Sequence, residues 1–169
     1  KADAANPILE AKAGTTFKCP VRNEVVNWEE KDVFNPATVV RNGKVYMVYR
    51  AEDKVGKYAG TSRLGLAVSA DGIHFKRMPE PVFYPDNDFM KKYEWEGGCE
   101  DPRIVETEDG RYVMTYTSYD GNLARLCVAS SADLIHWQKH GLAFGNFIKS
   151  TRDFWSKSGA IVCRKVGDK

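Results

Sequence analysis

The sequence predicts an all-β fold, a β-propeller, from two observations. The first is a series of short strand-like segments. Residues 39–49 are the clearest, because β-branched and aromatic residues flank the hairpin signal Asn42-Gly43. The second is that the same order of segments recurs after roughly 60 to 66 residues, with Asp109-Gly110 in the place of Asn42-Gly43. Four short strands per unit, repeated along the chain, are typical of propeller blades.

The segment ahead of the repeat, residues 1–33, shows little periodicity. We expect it to be an irregular lead-in anchored by Phe17 and Trp28, followed by a partial propeller over residues 34–169. A propeller closes with about four to eight blades. The two and a third copies present predict the first half of a larger propeller. The first blade covers residues 34–95, the second 96–150, and the start of a third 151–169.

Inside the first blade, the hairpin is followed by a loop and then by a strand predicted over residues 63–69. A turn at Asp71-Gly72 leads to a short fourth strand predicted over residues 73–77. The second copy repeats this order over residues 101–139, and the start of a third inner strand is expected over residues 158–164. Both full copies should therefore form four-stranded antiparallel sheets.

Some residues recur unchanged in both copies, as expected of residues that serve the blade itself. The aspartates Asp71 and Asp133 are predicted to form turns. The histidines that follow them, His74 and His136, are predicted to pack or to form hydrogen bonds. The third pair, Arg63 and Arg125, has two open interpretations. Each arginine braces its blade, or one copy projects into the channel and binds an anion.

Other residues differ between equivalent positions, which favours a site. The first strand of each blade lines the central channel, and Asn35, Asp101 and Ser158 begin these strands. Glu100 and Lys157 directly precede two of them. We expect an amide, one or two carboxylates, an ammonium group and the guanidinium of Arg50 to meet near the axis. The alternative is that Asn35 and Asp101 only cap their strands, or that Asp101 forms a local ion pair with Arg103.

Asp101 is followed by Pro102, which biases the preceding residue toward an extended conformation. The sequence therefore predicts an extended Asp101 at the start of a strand, where a rigid element holds its carboxyl group for proton transfer. If Asp101 is a general acid, burial and the neighbouring Glu100 should raise its pKa, and Arg103 should lower it.

Composition excludes several classes of function. The 169 residues carry a net charge of +2 and are 43% hydrophobic, which suits a soluble globular protein and gives no reason to expect nucleic acid or a membrane surface as partner. No apolar run is long enough to span a membrane as a helix. The four cysteines lack C-x-x-C spacing, so neither a zinc site nor another metal is expected. Cys99 is considered as a reactive thiol, but no histidine adjacent in sequence activates it.

Four stretches make a family resemblance specific: Phe34-Asn-Pro-Ala37, Tyr49-Arg-Ala-Glu-Asp53, Gly98-Cys-Glu-Asp-Pro-Arg103 and Trp155-Ser-Lys-Ser-Gly-Ala160. From about residue 33 onward, the chain resembles glycoside hydrolase family 130, which contains the β-mannoside phosphorylases and some β-mannosidases. The resemblance implies a five-bladed propeller of about twice this length.

The resemblance also implies roles for individual residues. Asp101 matches the catalytic acid, which in the family is thought to act through a sugar hydroxyl. Three further residues match positions near the sugar in the −1 subsite, and two basic residues match the positions that hold phosphate. The sugar-binding residues are Asn35, Arg50 and Asp53, and the phosphate-binding residues are Arg125 and Lys157. An arginine fork and a lysine charge suit an inorganic phosphate that attacks the anomeric carbon.

The sequence therefore predicts inverting phosphorolysis of a β-mannoside to α-mannose 1-phosphate. The partners expected are a mannose-containing oligosaccharide and inorganic phosphate, which is the co-substrate, with no cofactor. Two alternatives stay open: a β-mannosidase on the same fold, with a second carboxylate to activate water, and a non-catalytic carbohydrate-binding propeller. A homo-oligomer is compatible with the sequence, as are both the cytoplasm and the periplasm.

Overall fold

The computed structural model describes residues 3–146 and 154–163. After a short 3₁₀ turn, Asp3–Ala5, an antiparallel hairpin is formed by strands β1 (Thr16–Cys19) and β2 (Glu24–Asn27). The expectation that residues 1–33 are irregular is therefore wrong for this part. The hairpin buries Phe17 and Val26 in one apolar cluster with Trp28, so the two predicted anchors do pack, but from an ordered hairpin.

The first blade, called blade 1, consists of four antiparallel strands: β3 (Asp32–Arg41), β4 (Lys44–Glu52), β5 (Ser62–Ser69) and β6 (Lys76–Arg77). The predicted fourth strand is shorter than the range 73–77. The Asp71 carboxylate accepts the backbone N–H groups of Ile73 and His74 at 2.9 and 2.8 Å, which holds these residues in a turn.

The second blade, called blade 2, follows a single helical turn, α1 (Lys91–Glu94). It repeats blade 1 with four antiparallel strands: β7 (Gly98–Glu106), β8 (Tyr112–Tyr119), β9 (Ala124–Ser131) and β10 (Trp137–Leu142). The all-β prediction and the two four-stranded sheets are confirmed. The predicted third inner strand is not formed over residues 154–163, and residue 164 lies outside the described residues.

In the part of the chain that the structure describes, the strands of blade 1 and blade 2 pair at one position. Ser62 of β5 and Gly98 of β7 form a parallel pair, and the Ser62 N–H donates to the Gly97 carbonyl at 2.9 Å. A shared apolar cluster then packs the blades together: Val48, Leu64 and Leu66 come from blade 1, and Met114, Tyr116 and Cys127 come from blade 2. The junction between blades is thus both hydrogen-bonded and apolar.

The residues that recur in both blades behave as predicted. His74 Nδ1 lies 2.7 Å from Asp71 Oδ2, and His136 Nδ1 lies 2.7 Å from Asp133 Oδ2. Both aspartates also accept backbone N–H groups of their own turns. These residues close the turn between the third and fourth strands of each blade, so they belong to the blade rather than to a site.

The number of blades in the whole propeller, predicted as five, stays a prediction. Among residues 3–146 and 154–163, no helix has the length and apolar character needed to cross a bilayer.

Candidate active site

The backbone at the three equivalent positions is unusual in the same way. Asn35, Asp101 and Ser158 have φ values of 46°, 48° and 57°, in the left-handed region. The strand register is interrupted at the first two, between Phe34 and Ala37 and between Glu100 and Arg103. The prediction of an extended Asp101 is therefore wrong. Asparagine and aspartate tolerate the left-handed region, and the β-bulge that each creates turns its side chain out of the ladder.

Residues of all three copies meet around Asp101. Asn35 Nδ2 donates to Asp101 Oδ1 at 2.8 Å, and Arg50 Nη1 donates to the same oxygen at 3.1 Å. From the third copy, the Lys157 ammonium lies 3.3 Å from Asp101 Oδ2 and donates to Glu100 Oε2 at 2.8 Å. The predicted meeting of an amide, carboxylates, an ammonium group and Arg50 is confirmed. The chemical roles of these residues stay predictions.

Arg50 is the most constrained side chain of the cluster. Its Nη2 donates to Glu100 Oε1 at 3.0 Å and to Glu52 Oε1 at 2.6 Å, and its Nε donates to Ser62 Oγ at 3.0 Å. The guanidinium also lies 4.5 Å from the centre of the Phe34 ring. With this many partners, Arg50 holds one geometry, so the oxygens it contacts are also held.

Two charged residues beside Arg50, one acidic and one basic, were not predicted as site residues from the sequence. Glu52 accepts hydrogen bonds from Arg50, from Ser62 at 2.9 Å and from Lys31 at 2.9 Å. Its signal was present, because Glu52 lies two residues after Arg50 on β4 and so faces the same side. Lys31 carried no such signal, since it precedes the first strand of the repeat.

The pKa of Asp101 is lowered, which corrects the expected increase. Burial raises the pKa, but the hydrogen bond from Asn35 and the positive charges of Arg50 and Lys157 together lower it by more. The expected influence of Arg103 is absent from these causes, because its guanidinium turns away and donates to the Pro102 carbonyl at 2.8 Å. In this structure, Asp101 is therefore an ionised carboxylate at neutral pH.

Asp53, predicted to contact sugar, lies outside the cluster. Its side chain is fully buried, and its Oδ2 accepts from Arg63 Nη1 at 2.6 Å. Its Oδ1 accepts the N–H groups of Val55 and Thr61 at 3.1 and 2.9 Å. These contacts brace the loop after β4 and leave the carboxylate with no exposed surface in the part of the chain that the structure describes.

Arg125, predicted to bind phosphate, is the blade 2 copy of this brace. Its Nη1 donates to Asp120 Oδ2 at 2.7 Å, and Asp120 Oδ1 accepts the N–H groups of Asn122 and Leu123 at 2.8 Å each. The structure thus supports the first of the two interpretations left open for the recurring arginines. Arg63 and Arg125 each contact an aspartate of their own blade and so brace it.

Further buried charges also repeat between the blades without belonging to the site. In each blade, a fully buried glutamate accepts from a tyrosine of the second strand and pairs with a cation of the fourth. The members are Glu29, Tyr49 and Arg77 in blade 1 and Glu94, Tyr116 and Lys139 in blade 2. Cys99 is buried near Glu94, and burial raises the pKa of its thiol. A thiol in that environment is inert, so Cys99 is not a reactive group.

Repeated four-stranded blades, with a polar cluster at the bulges of their first strands, define the chain as part of a β-propeller with its candidate site at the blade junctions. Residues 1–169 match a family model described as beta-1,4-mannooligosaccharide phosphorylase. The chain belongs to glycoside hydrolase family 130, as its motifs indicated.

Named relatives and a solved structure are similar over most of the chain. A 1,2-beta-oligomannan phosphorylase from Thermoanaerobacter sp. (strain X514) is 42% identical over 68% of this chain and 39% of its own length. A beta-1,2-mannobiose phosphorylase from the same organism is 32% identical over 84% of this chain and 46% of its own length. A glycosyl hydrolase structure from Bacteroides ovatus is 48% identical, with a TM-score of 0.89 over 94% of this chain and 45% of that one. The chain thus spans less than half the length of these relatives.

Proposed function

We propose that the protein is an inverting glycoside phosphorylase that cleaves a β-mannoside with phosphate and releases α-mannose 1-phosphate. One observation carries the proposal. The Asp101 carboxyl is held by Asn35 and Arg50 from blade 1 and faces Lys157 from the third copy. An acid fixed where residues of all three copies meet has the rigid placement that proton transfer to a bound glycoside needs.

In the proposed reaction, a phosphate oxygen attacks the anomeric carbon of the mannosyl unit as the bond to the leaving oxygen breaks. The leaving oxygen receives a proton that originates on Asp101 and passes through a hydroxyl of the sugar. Asn35 and Arg50 fix the carboxyl and bind hydroxyls of the same sugar. Phosphate is itself the nucleophile, so no second carboxylate is required to activate water.

Lys157 is the proposed phosphate ligand of the described cluster. Its side chain is 31% exposed, compared with 9% for Asp101 and 6% for Glu100, so its ammonium is the most accessible charge beside the acid. Arg125, which the resemblance also matched to phosphate, forms a brace with Asp120 instead. We therefore assign phosphate contact to Lys157 and not to Arg125.

The lowered pKa of Asp101 means that its proton must be acquired in the bound complex. In this proposal, the binding of phosphate is what allows Asp101 to take up that proton. An anion that pairs with Lys157 offsets the positive charge now facing Asp101, and this raises the pKa of the carboxyl. Exclusion of water by the sugar acts in the same direction, because it disfavours the charged form.

A β-mannosidase is the second candidate. It is favoured by a solved structure that is 50% identical over 94% of this chain, with a TM-score of 0.89. That structure is described with the words "the GH130 family of mannoside phosphorylases contains glycoside hydrolases that target beta-1,2 mannosidic linkages in Candida mannan". The cluster itself weighs against Glu100 as the base of such an enzyme. Glu100 and Asp101 contact one ammonium, at 2.8 and 3.3 Å, so their oxygens lie closer than the roughly 6.5–9.5 Å of inverting hydrolases.

The test is to incubate the full-length protein with β-linked mannosyl disaccharides, with and without inorganic phosphate, and to identify the products by NMR. Phosphate-dependent α-mannose 1-phosphate is the expected result. Free mannose released at the same rate without phosphate identifies the hydrolase, and absence of any cleavage together with sugar binding identifies a binding propeller.

A further inference from the structure

Three aromatic rings form a continuous series at the edge of the candidate site. The rings of Tyr58 and Tyr119 have centroids 6.2 Å apart, and those of Tyr119 and Trp155 are 6.1 Å apart. They come from three separate segments: the loop after β4, the end of β8 and the segment before Lys157. The outermost ring, Trp155, is 59% exposed, while the two tyrosines are half-buried. We call these three residues the aromatic series.

Two members of the aromatic series lie near residues that contact or adjoin Asp101. Trp155 is two residues from Lys157, whose ammonium contacts Asp101. The residue between them is anchored, because the Ser156 N–H donates to the Ala124 carbonyl and Ser156 Oγ accepts the Leu126 N–H, both at 3.0 Å. On the other side, Tyr119 pairs with Gly98, two residues before Glu100. Two residues span at most about 7 Å of backbone, so Trp155 and Tyr119 lie within that backbone distance of Lys157 and Glu100, the two residues that contact or adjoin the acid.

The two tyrosine rings of the series are held in position by close approaches to glycine. A Cβ atom at Gly97 would lie 2.3 Å from Tyr119 Cδ1, and one at Gly121 would lie 2.1 Å from the Tyr58 hydroxyl. The Tyr119 hydroxyl also donates to the Gly121 carbonyl at 3.0 Å. Any side chain at either glycine would displace a ring. The aromatic series is therefore a surface set by the strands and loops beneath it.

Comparison of the two blades shows that this surface replaces a charged one. The strand register makes three positions of blade 2 equivalent to Arg50 and to two of the residues that Arg50 contacts in blade 1. Where blade 1 has a hydrogen-bonded ionic set, blade 2 has a small, an aromatic and an apolar residue. The blade 1 set is Arg50, Glu52 and Ser62, and the blade 2 set is Thr117, Tyr119 and Ala124. The site thus has a charged side between blades 1 and 2 and an aromatic side toward the third copy.

We propose that the aromatic series is the binding surface for the sugar on the leaving-group side of the scissile bond, with Trp155 stacking on the apolar face of a hexopyranose ring. This inference rests on the proposed function. The charged side of the site offers hydrogen bonds to the hydroxyls of the mannosyl unit that reacts. The aromatic side offers few such partners but an exposed ring face, which suits the C–H face of the adjoining sugar.

The test measures binding by calorimetry on the full-length protein carrying Asp101→Asn, which prevents turnover. Mannose and a β-linked mannobiose are the probes. In this background, the further substitution Trp155→Ala should weaken mannobiose binding about two- to tenfold, the range of a lost aromatic contact. It should leave mannose binding unchanged. Added Trp155→Phe should retain most of the mannobiose affinity. Phe89→Ala is the matched control, since Phe89 is 61% exposed and lies outside the aromatic series.

Three outcomes overturn the inference. Unchanged mannobiose affinity in Trp155→Ala shows that the ring does not contact the second sugar. Equal weakening of mannose and mannobiose places Trp155 against the reacting sugar instead. The third outcome is that Asp101→Asn binds neither sugar although its thermal melting curve shows that it is folded. In that case the proposed function fails, and this inference fails with it. That last result is distinguished from the others because it appears before any change at Trp155.

Discussion

At the scale of single residues, Asp101 combines a left-handed backbone with a carboxylate that blade 1 and the third copy both contact. Asp101→Asn keeps the shape and the hydrogen bond with Asn35 but removes the transferable proton. General acids contribute about a hundred- to ten-thousandfold, so turnover of a mannosyl disaccharide should fall by that order. A nitrophenyl mannoside, whose leaving group needs little protonation, should lose less. Steady-state kinetics on both substrates check this, with Asp109→Asn at an exposed turn as control. Equal losses on both substrates would show that Asp101 binds sugar instead of supplying the proton.

Lys157 and Arg125 are expected to have different roles, because Lys157 contacts Asp101 whereas Arg125 contacts Asp120. Lys157→Ala should raise the apparent KM for phosphate about ten- to a hundredfold, the loss of one charge-assisted contact of roughly 1.5–3 kcal/mol, with a smaller effect on the KM for sugar. Arg125→Ala should lower the unfolding free energy and leave the phosphate KM near its original value. A large phosphate effect of Arg125→Ala would return that residue to the site.

Asp53 provides a stability prediction at the residue scale. Its pair with Arg63 is fully buried, whereas the equivalent Asp120 and Arg125 side chains are 17% and 12% exposed. Asp53→Asn leaves a buried guanidinium without its counterion, which should cost about 3–5 kcal/mol of unfolding free energy. Asp120→Asn should cost less, because water reaches that pair. Urea denaturation of both variants makes the comparison. A stable Asp53→Asn with a raised KM for sugar would support the sugar-binding role that the motif implied.

At the scale of elements, the junction between β5 and β7 depends on Gly98. A Cβ atom at Gly98 would lie 2.2 Å from the Ser62 carbonyl oxygen, and its φ is +115°. Gly98→Ala should therefore separate the blades locally and disturb Ser62, which binds Arg50 and Glu52. Gly110→Ala is the control, because its φ of +75° strains alanine but nothing lies within 4 Å.

The cost of a strained left-handed residue alone is of order 1–3 kcal/mol. Thermal and chemical denaturation should show a clearly larger loss for Gly98→Ala than for Gly110→Ala, together with lower turnover in the first variant alone. Similar losses of stability in both variants would mean that the backbone contact at the junction adds nothing to the strain.

At the scale of the whole molecule, the charged cluster that joins the blades should make stability depend on pH. Hydrogen bonds and cations lower the pKa values of Glu52 and Asp101 below the usual 4.5 and 3.8, against the opposing effect of burial. Carboxyl groups with lowered pKa values stabilise the fold above their unfolded values, and this stability is lost as pH falls through the folded values.

The pKa shift of Lys157 is opposite in direction to those of Glu52 and Asp101. Its contacts with Glu100 and Asp101 outweigh burial and raise its pKa above the usual 10.5, so its contribution is complete below that pH and is lost as pH rises further. The cluster should therefore stabilise the protein fully between about pH 5 and pH 10. The melting temperature measured against pH checks this. In Arg50→Met, which removes a cation shared by Glu52 and Asp101, the decrease at acid pH should be shallower. An unchanged acid limb would contradict it.

The sequence by itself determined the all-β class, the two repeats and the meeting of Asn35, Arg50, Asp101 and Lys157. Strand alternation and turn residues are local signals, so they can be interpreted from neighbours in sequence. The repeat then supplies the long-range information, because blades arranged around one axis bring equivalent positions together whatever their distance along the chain. The lead-in hairpin was missed because its two strands have only four residues each and lie outside the repeat.

Only the tertiary structure decided which charged residues of the motifs lie together around Asp101. Asp53 lies in a motif of the family resemblance, but its carboxylate is paired with Arg63. Arg125 lies in the repeat, but its guanidinium is paired with Asp120. The left-handed Asp101 was likewise decided by the bulge that two paired strands impose, against the local preference before proline. The direction of its pKa depended on Asn35, Arg50 and Lys157, which are far from it in sequence. Burial, pairing and charge act through space, and a pattern along the chain cannot state which of several cations a folded carboxylate will meet.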